Sequence, residues 1–395
     1  MHILVINCGS SSVKTRLFDM NTEQVLASIA IEKIGQDDAT LINGDRSAPV
    51  NARDHETAIA HICDDLPHHD TIAAVGHRVV HGGEQFIDAA RVTPHVEQAI
   101  DDLSAFAPLH NPHNLAGIRS AQKLFPQATH VAVFDTAFHQ SAPDYAYLYA
   151  LPYHLYEQDR IRRYGFHGTS HRYVSQRAAE ILGKPFTGIT CHLGNGCSIT
   201  AIREGQSVDT SMGFTPLEGV AMGTRSGDLD PALVLNLARR LGIDETDKLV
   251  NRESGLLGLS GLTNDVRELQ QAQEKGNAQA ALALNVFAYR IRKYIGAYLT
   301  VLGSIDGIIF TGGIGENSAD LRTRILSNLE PLGICLNKEH NDKYTGKEGI
   351  ISAETSPIKL IVIPTDEERL IARESHKIAQ SLSRKREKEE RQWIV

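Results

Sequence analysis

The feature that most constrains the fold is a pattern that occurs twice. VINCGSSSVKTRLFD at residues 5–19 resembles TCHLGNGCSITAIREG at residues 190–205. In each stretch an apolar run leads into a turn of glycine and small polar residues, and a second apolar run ends in charged residues. Such turns expose consecutive backbone N–H groups that can bind an anion. One copy alone reads as an ordinary β-hairpin. Two copies predict a duplicated domain, with a phosphate-facing hairpin in each half and a polyphosphate in the cleft between the halves.

The remaining segments alternate between strand-like and helix-like patterns, which is typical of α/β architecture. Strands are expected at Ile3–Ile6, Val13–Phe18, Ile72–Val75, His130–Phe134, Asp306–Phe310 and Lys359–Ile363. Helices are expected from Pro94 onward and at Asn114–Leu124, Pro231–Leu241, Ala278–Leu302 and Asp366–Ser381, the fourth of these as a buried central helix. The polar, turn-rich stretches 35–56 and 338–357 are expected to be surface excursions.

Length and charge exclude several classes of protein. At about 150 residues per domain, 395 residues suggest two or three domains. A formal charge of −8 argues against nucleic-acid binding through a general basic surface. Five dispersed cysteines without a C-x-x-C pair indicate reduced thiols. The N-terminus lacks the features of a signal peptide, and no stretch approaches the ~18 apolar residues of a membrane span. We therefore expect a cytoplasmic protein without nucleic-acid or membrane partners.

Several common catalytic motifs are absent from the sequence. It contains no G-x-x-x-x-G-K-[ST] phosphate loop, no G-x-G-x-x-G after a strand and no G-x-S-x-G. The histidine pairs in HETAIAH and HNPH have the wrong spacing, or an intervening proline, for a zinc-binding helix. The sequence therefore gives no support for a Walker-type nucleotide site, a dinucleotide fold or a transition-metal centre.

Four polar residues stand in glycine-rich or strand-end contexts that suit a site. Arg78 precedes a Gly-Gly turn, Asp135 ends an apolar strand, His167 is flanked by an aromatic residue and a glycine, and Arg225 lies in a Gly-rich loop. DGIIFTGGIGENS at 306–318 reads as a strand, a turn and a helix start, suited to the sugar or phosphate of a nucleotide. Each arginine taken singly is as well explained by a surface ion pair. Asp230 and Asp366 are better explained as helix caps, and Cys8, Cys191 and Cys197 as small apolar fillers.

Taken together, the motifs closely resemble the acetokinase family. The matching segments are NCGSSSVK, GHRVVHGG, HNP, FDTAFH, RYGFHGTSH, CHLGNGCS, DTSMGFTPLEGVAMGTRSGDLDP, FTGGIGENS and IPTDEERLIAR, in this order from residue 3 to about residue 374. The resemblance implies the sugar kinase–actin–chaperone ATPase superfold, with two duplicated actin-like (ribonuclease H-like) domains and a nucleotide cleft between them. Residues 1–136 plus 367–395 would form the N-terminal, carboxylate-side domain. Residues 137–366 would form the C-terminal, nucleotide-side domain.

The resemblance also implies an activity: reversible transfer of the ATP γ-phosphoryl group to acetate, with Mg²⁺ (or Mn²⁺), by a homodimer. By motif, the implied catalytic residues are Asp135, His167 and Arg225. The substrate residues are Arg78 with an apolar pocket of Val80, Leu109, Phe166 and Pro216. The nucleotide residues are Lys14, His192, Leu193, Gly194, Asn195, Gly196, Asp265, Val266, Arg267, Gly313, Ile314, Gly315, Glu316 and Asn317. Asn7 and Glu367 would lie near the metal.

The family labels Asp135 an active-site residue, but a role as general base is not expected. A carboxylic acid with a pKa of about 4 has already lost its proton at pH 7. We therefore expect Asp135 to orient an arginine and to help hold the hydration shell of Mg²⁺. Arg78 and Arg225 come from different halves of the chain, so both are expected to reach one phosphoryl group only when the cleft closes and excludes water.

Three alternatives stay open from the sequence. A propionate kinase shares nearly all these motifs. One methylene provides only about 1–3 kcal/mol of discrimination, so propionate is expected to be a poorer substrate and not an excluded one. A chaperone-type ATPase would need an additional peptide-binding extension, for which 395 residues leave little room. A catalytically inactive nucleotide sensor is disfavoured because the four polar residues above are all present. One departure from the family pattern stands beside the metal residues: Asp366, where asparagine is usual, adds a negative charge.

Overall fold

The computed structural model describes residues 1–392, and side chains as far as Arg384. The chain divides into two compact units. The first unit is Met1–Phe138 together with the chain from Asp366 onward, and the second is His139–Thr365. Each unit is built on its own mixed β-sheet with helices, so the predicted α/β class is confirmed. Residues 393–395, which end the predicted N-terminal domain and the charged tail, lie outside the described residues.

The described residues form fourteen strands, fifteen α-helices and four short 3₁₀ helices. The strands are β1 (His2–Cys8), β2 (Ser12–Asp19), β3 (Gln24–Glu32), β4 (Thr40–Asn43), β5 (Arg46–Pro49), β6 (Ile72–Val79), β7 (Ala90–Arg91), β8 (Thr129–Phe134), β9 (Gly188–Leu193), β10 (Cys197–Arg203), β11 (Gln206–Thr210), β12 (Gly307–Thr311), β13 (Gly349–Ile350) and β14 (Lys359–Val362). The α-helices are α1 (His55–Asp64), α2 (Pro94–Asp102), α3 (Asn111–Leu124), α4 (Asp144–Tyr147), α5 (His154–Asp159), α6 (Gly168–Leu182), α7 (Pro231–Leu241), α8 (Ile243–Arg252), α9 (Gly255–Ser260), α10 (Val266–Glu274), α11 (Ala278–Leu302), α12 (Gly312–Asn317), α13 (Ala319–Leu326), α14 (Lys338–Lys343) and α15 (Glu367–Gln392). The 3₁₀ helices are His69–Thr71, Leu103–Ala105, Ala137–Ser141 and Glu330–Leu332.

The first sheet has the strand order β5-β4-β3-β2-β1-β6-β8-β7. Strands β1 and β2 form the first predicted hairpin, with Asn7 opposite Lys14 in the antiparallel register. Strands β6 and β8 run parallel to β1, so the carboxyl ends of three neighbouring strands meet at one edge of the sheet. Open α/β sheets bind their ligands at such edges.

The second sheet repeats this arrangement with the order β11-β10-β9-β12-β14-β13. Strands β9 and β10 form the second predicted hairpin, with His192 opposite Ser198. Strands β12 and β14 run parallel to β9, as β6 and β8 do to β1. The predicted duplication is therefore confirmed at the level of strand order as well as at the two hairpins.

Helices cover both faces of the first sheet. On one face α15 buries Ile371 and Ala372 against Ile3 and Val5 of β1. The approach of this helix is close: a Cβ on Gly76 would lie 2.4 Å from the Ser375 hydroxyl. Helices α1 and α3 pack against the other face. Because a fully buried aliphatic side chain contributes about 1.5–3 kcal/mol, these contacts fix the start of α15 at the site edge.

The two predicted surface excursions contain regular structure, which the sequence reasoning missed. Within 35–56, β4 and β5 form a hairpin that extends the first sheet, and α1 begins at His55. Within 338–357, α14 and β13 are formed. Edge strands carry polar residues because one side faces water, and this pattern looks like a loop. Helix α11 is also only half buried, with Leu282, Tyr289 and Val301 exposed. No helix in residues 1–392 is long and apolar enough to cross a membrane.

Candidate active site

Asn7 and Lys14 face the same side of the first hairpin. They are cross-strand partners on β1 and β2, and directly opposed residues share a face of the sheet. Lys14 is exposed and Asn7 is half-buried. A flexible ammonium group therefore stands beside an amide at the carboxyl edge of β1, where an anion and a cation can both be contacted.

An ion pair between the half-buried Arg78 and the buried Asp135 occupies the same edge. Arg78 lies near the end of β6 and Asp135 directly follows β8. The Nε of Arg78 donates to both carboxylate oxygens of Asp135 at 3.1 Å, and the Nη2 of Arg78 donates to Oδ2 of Asp135 at 2.6 Å. The Asp135 backbone N–H donates to the carbonyl of Val79 at 2.9 Å. The carboxylate thus holds the guanidinium in one orientation by a forked contact, which lysine could not reproduce.

Glu367, the first residue of α15, adds a second carboxylate to this cluster. Its Oε2 lies 3.8 Å from Arg78 Nε. Burial raises the pKa of Glu367 to about 7; the charge of Arg78 lowers it, and the neighbouring Asp135 raises it further. For Arg78, burial alone would lower the pKa of the guanidinium, but Asp135 and Glu367 outweigh that effect and raise it. The cluster therefore holds more negative than positive charge in a small volume.

Asp366 caps α15 directly before Glu367, as the sequence predicts. Its Oδ1 accepts from the Arg369 backbone N–H at 3.1 Å. The same carboxylate binds the side chains of Arg16 at 3.1 Å and Arg369 at 2.9 Å. The negative charge that distinguishes this residue from asparagine is thus paired with two guanidinium groups.

Two buried asparagines of α3 support this edge, and the sequence reasoning missed their role. Asn114 donates to the carbonyl of Cys8 at 2.8 Å and accepts from the Val80 N–H at 3.1 Å, so it ties the ends of β1 and β6 together. Asn111 exchanges two hydrogen bonds with the backbone of His81. The two asparagines of NPHN at the start of this helix were the available signal, because buried amides are kept where they have partners.

In the second unit, His167 and Arg225 lie close to Gly196. His167 has a left-handed backbone (φ 57°) at the start of α6, and its ring stacks on that of His192 with centroids 4.3 Å apart. A Cβ on Gly196 would lie 3.3 Å from the His167 ring and 3.5 Å from Arg225 Nη1. The glycine therefore lets the turn after β9 approach both side chains closely.

Arg225 differs from Arg78 in having no carboxylate partner within the described residues. Its Nη1 donates to the carbonyl of Pro216 at 3.4 Å and lies 3.8 Å from the sulfur of Met222. Burial lowers the pKa of Arg225 relative to its ordinary value. A half-buried guanidinium with only neutral partners is suited to bind an anion supplied by a ligand.

A pocket of about 530 Å³ in the second unit collects most of the predicted nucleotide residues. It lies among three segments: the turn after β9, the start of α10, and α12. Its lining residues are Gly194, Asn195, Asn264, Asp265, Val266, Arg267, Gln270, Gly313, Ile314, Asn317 and Ser318. Of these, Asn264, Gln270 and Ser318 were not predicted from the sequence. The volume falls in the 300–1,000 Å³ range of small-molecule sites.

The other predicted nucleotide residues lie outside this lining. Leu193 is fully buried and does not line the pocket. Gly196 faces His167 and Arg225. His192 Nδ1 shares a hydrogen bond of 2.7 Å with the Ser170 hydroxyl. Gly315 is buried within α12. Lys14 belongs to the first unit.

Glu316 and Arg322 hold the α12 segment in place through hydrogen bonds to backbone groups. The Glu316 carboxylate accepts from the backbone N–H groups of Gly312 at 2.8 Å and Thr365 at 3.1 Å. Arg322 is fully buried and donates to the carbonyls of Gly315 and Glu316, each at 2.8 Å, and to Asn341. Glu316 is thus a support for the turn, a role that the motif alone did not indicate.

The four residues of the predicted acceptor pocket are divided between the units. Val80 is buried after β6, and Leu109, in the loop before α3, is 57% exposed. Phe166 is buried beside His167, and Pro216 is half-buried beneath Arg225. Each unit therefore contributes two of the four apolar residues.

The donor set of the first unit fits Mg²⁺ better than a transition metal. Among the side chains that the structure describes, as far as Arg384, no three of His, Cys, Asp or Glu form a group that could hold a metal by themselves. Mg²⁺ commonly uses one or two carboxylates and completes its shell with water and substrate phosphates. Glu367 and Asn7 carry oxygen donors of that kind, and a cation would relieve the excess negative charge around Glu367.

Comparison with known proteins gives a consistent result along the whole chain. The family described as "Acetokinase family" matches residues 2–373. The acetate kinase of Clostridium botulinum (strain Hall) is 51% identical over 397 residues, covering 96% of this chain and 99% of its own. The crystal structure of Porphyromonas gingivalis acetate kinase superposes with a TM-score of 0.90 at 42% identity, covering 95% of this chain and 99% of its own. A propionate kinase from Francisella tularensis superposes with a TM-score of 0.91, also at 42% identity and with the same coverage.

Proposed function

The chain belongs to the acetokinase family, and on that premise we propose that it transfers the γ-phosphoryl group of ATP to acetate, reversibly, giving acetyl phosphate and ADP. The observation that carries the proposal is the Arg78–Asp135–Glu367 cluster at the carboxyl edge of β1, β6 and β8. Phosphoryl transfer requires a positioned positive charge and a bound metal ion. In this cluster Asp135 orients the Arg78 guanidinium, and Glu367 is the carboxylate proposed to bind the metal.

The transfer proposed here is direct and in line. A carboxylate oxygen of acetate attacks the γ-phosphorus, and the bond from that phosphorus to the bridging oxygen breaks, leaving ADP with the electron pair. Arg78 and Arg225 would bind the carboxylate and the equatorial phosphoryl oxygens, and His167 would donate one further hydrogen bond. Catalysis of this kind depends on positioning and charge stabilisation rather than on proton removal. Asp135 acts in this scheme by holding Arg78.

The pocket of the second unit is proposed as the ATP site. The turn after β9 and the start of α12 present glycines and backbone N–H groups, which suit phosphates and sugar hydroxyls. Asp265, which caps α10, is held by Arg267 through two side-chain bonds, at 3.1 and 2.5 Å. The hydrogen bond from Arg267 lowers the pKa of Asp265 to about 2, so the capping charge persists at any working pH.

Mg²⁺ is the metal proposed for the reaction. Asn7 and Glu367 would hold it, with Asp135 acting on its hydration shell. When bound, the ion would neutralise charge on the β- and γ-phosphates. Removal of divalent ions with a chelator is expected to abolish turnover, and Mg²⁺ or Mn²⁺ is expected to restore it.

The preference for acetate over propionate is also a proposal. The similar solved structures include an acetate kinase and a propionate kinase at comparable structural similarity. The experiment is acyl phosphate formation trapped with hydroxylamine, using ATP and Mg²⁺ with acetate, propionate or butyrate. Acetate leading supports the proposal, whereas propionate leading would assign a propionate kinase with the same mechanism. ATP hydrolysis without acyl phosphate would contradict both and favour a sensor or chaperone-type ATPase.

We further propose a homodimer that forms through α7. None of the eleven residues of this helix is buried, and its leucines Leu233, Leu235 and Leu241 are each at least 45% exposed. A second copy covering these leucines would remove an apolar surface from water. Sedimentation should give a dimer for the wild type and a monomer for Leu233→Ser/Leu235→Ser. A monomeric wild type at micromolar concentration would contradict the proposal.

A cytoplasmic location is proposed from the state of the cysteines. All five are free thiols, and four of them are buried. Free buried thiols are typical of proteins from reducing compartments. Cell fractionation of the source organism, with detection of the untagged protein, would test the location.

A further inference from the structure

Four side chains in the second unit form one continuous hydrogen-bonded chain that ends at His167. Thr190 Oγ1 lies 2.6 Å from His171 Nδ1, and His171 Nε2 lies 2.7 Å from Ser198 Oγ. Ser198 Oγ in turn lies 2.9 Å from His167 Nδ1. Thr190 and Ser198 are on neighbouring strands β9 and β10, and both histidines come from the first turn of α6 or its cap. The chain therefore depends on the packing of α6 against the sheet.

The interior members of this chain have no access to water. Thr190, His171 and Ser198 are each 0% exposed. Buried hydroxyl and imidazole protons need acceptors within the protein, because an unsatisfied one costs about 1–3 kcal/mol. Burial, with the nearby rings of His139 and His192, lowers the pKa of His171 well below its ordinary value. His171 is therefore neutral, with one ring nitrogen donating and the other accepting.

The hydroxyl of Thr190 sets the direction of the chain. His171 Nδ1 is the hydrogen-bond partner of Thr190 Oγ1 among the described residues. The Thr190 proton must therefore point to Nδ1, which makes Nδ1 the acceptor and leaves the proton of His171 on Nε2. That proton is donated to Ser198. The opposite direction would leave the buried Thr190 hydroxyl proton without an acceptor.

Ser198 passes this direction on to His167. Its oxygen accepts from His171, so its single proton is available to the other neighbour, His167 Nδ1. A nitrogen that accepts a hydrogen bond carries no proton, so the proton of neutral His167 lies on Nε2. The stacked ring of His192 and the left-handed backbone at His167 fix the plane of the same imidazole.

We infer that Ser198 and His171 are positioning residues that hold His167 as the neutral Nε2–H tautomer. His167 then presents an N–H donor, and not a basic nitrogen, from the atom opposite Ser198. The assignment of the tautomer stands on the hydrogen-bonded chain alone, whereas its use as a donor to the phosphoryl oxygens rests on the proposed function. In that use the donor is already formed before substrate binds, so no proton has to move during transfer.

The first test is spectroscopic and uses the full-length enzyme without substrate. Two-bond ¹H–¹⁵N correlation spectra of ¹⁵N-histidine protein distinguish protonated from bare ring nitrogens, and His167 is assigned by its loss in His167→Gln. The expected pattern is a bare Nδ1 and a protonated Nε2. A protonated Nδ1 in the wild-type spectrum would overturn the inference, whatever the activity of the enzyme.

The second test removes the link and measures turnover. Ser198→Ala is expected to lower kcat about tenfold or more, to leave KM for ATP within about twofold, and to give mixed tautomers at His167. His171→Gln, whose amide can accept from Thr190 and donate to Ser198, should retain most of the activity. The control is Thr200→Val on the same face of β10, which removes a buried hydroxyl bonded to Thr210 instead.

The outcomes separate the inference from the function on which its last step rests. An unchanged kcat in Ser198→Ala, or an equal loss in Thr200→Val, would overturn the positioning role. If Ser198→Ala does not fold, the wild-type spectrum still decides the tautomer. A wild-type enzyme that makes no acyl phosphate, yet shows the Nε2–H tautomer, would refute the proposed function while leaving the assignment intact.

Discussion

At the scale of single residues, the two candidate phosphoryl-binding arginines are prepared in opposite ways. Arg78 is locked by the buried carboxylate of Asp135, while Arg225 has only neutral partners in the described part of the chain. The carboxylate of Asp135 fixes the orientation of Arg78. The positive charge of Arg225 is not neutralised by a carboxylate of the described residues, so it is available to an anionic ligand. Both features lower the reorganisation needed when charge develops on the phosphoryl oxygens.

Replacing either arginine should therefore be severe. Arg78→Ala or Arg225→Ala is expected to lower kcat at least a hundredfold, because one such arginine can be worth about 10³–10⁵ in rate. Arg252→Ala, at an exposed position on α8, is the matched control and should keep full activity. A loss of tenfold or less in either site variant would count against its assignment.

Asp135 should affect the rate without introducing a new ionisation. Asp135→Asn removes the charge that holds Arg78, so kcat is expected to fall by a similar factor at every pH from 6 to 8. The measurement is a set of initial rates across that range beside the wild type. If activity survives only on the high-pH limb, hydroxide has replaced a lost base, and a general-base role for Asp135 returns.

At the scale of elements, one short helix depends on a buried cation. Helix α12 presents Gly313, Ile314 and Asn317 to the proposed ATP pocket, and Arg322 of α13 holds its carbonyl end. Burial lowers the pKa of Arg322 to about 10, so it remains charged at neutral pH. The carbonyls around it replace the water that a guanidinium normally has.

Arg322→Met should therefore weaken ATP binding and the fold together. It leaves the carbonyls of Gly315 and Glu316 without donors, at a cost on the order of 3 kcal/mol in the free energy of unfolding. We expect KM for ATP to rise more than KM for acetate. Urea unfolding and initial rates measure the two effects, with Arg252→Met as the control. A normal KM for ATP in a destabilised variant would restrict Arg322 to a purely structural role.

At the scale of the whole molecule, several histidines are buried in a neutral state. Burial lowers the pKa of His77, His130 and His171, and that of His81 to about 4. His77 and His130 share one hydrogen bond of 3.1 Å between ring nitrogens, which requires that one nitrogen be bare. In the unfolded chain these rings bind protons below about pH 6.5.

Stability should consequently fall as the pH drops below about 6.5. The unfolded state then binds more protons than the folded state, and each such histidine removes up to about 1.4 kcal/mol per pH unit. For His81 the loss continues down to its folded pKa of about 4. Urea midpoints at several pH values between 7.5 and 4.5 measure the slope.

A single substitution isolates one of these histidines. His81→Asn keeps an acceptor for the Gly83 N–H, which His81 Nδ1 accepts at 3.0 Å. Below pH 6.5, the dependence of the free energy of unfolding on pH should decrease by the equivalent of about one bound proton. His95→Asn, at an exposed position, is the control. If the free energy of unfolding of His81→Asn depends on pH as in the wild type, His81 does not contribute to the loss of stability at low pH.

The sequence by itself determined the class of fold, the two hairpins and the family. These follow from local patterns: alternating apolar runs, Gly-Ser turns and long motifs are properties of neighbouring residues. It also determined the Asp230 and Asp366 caps, because a cap acts within one helical turn. The pairing of edge strands β4 and β5 escaped prediction, since a polar edge strand and a loop have the same composition.

Only the tertiary structure decided how distant side chains act on one another. Arg78 meets Asp135 because parallel strands bring their carboxyl ends together, and Asp366 meets Arg16 because α15 returns to the first sheet. The supports supplied by Asn114 and Arg322, and the tautomer of His167, likewise depend on which groups packing buries together. Hydrogen bonds and ion pairs act over a few ångströms in space, whatever the separation along the chain.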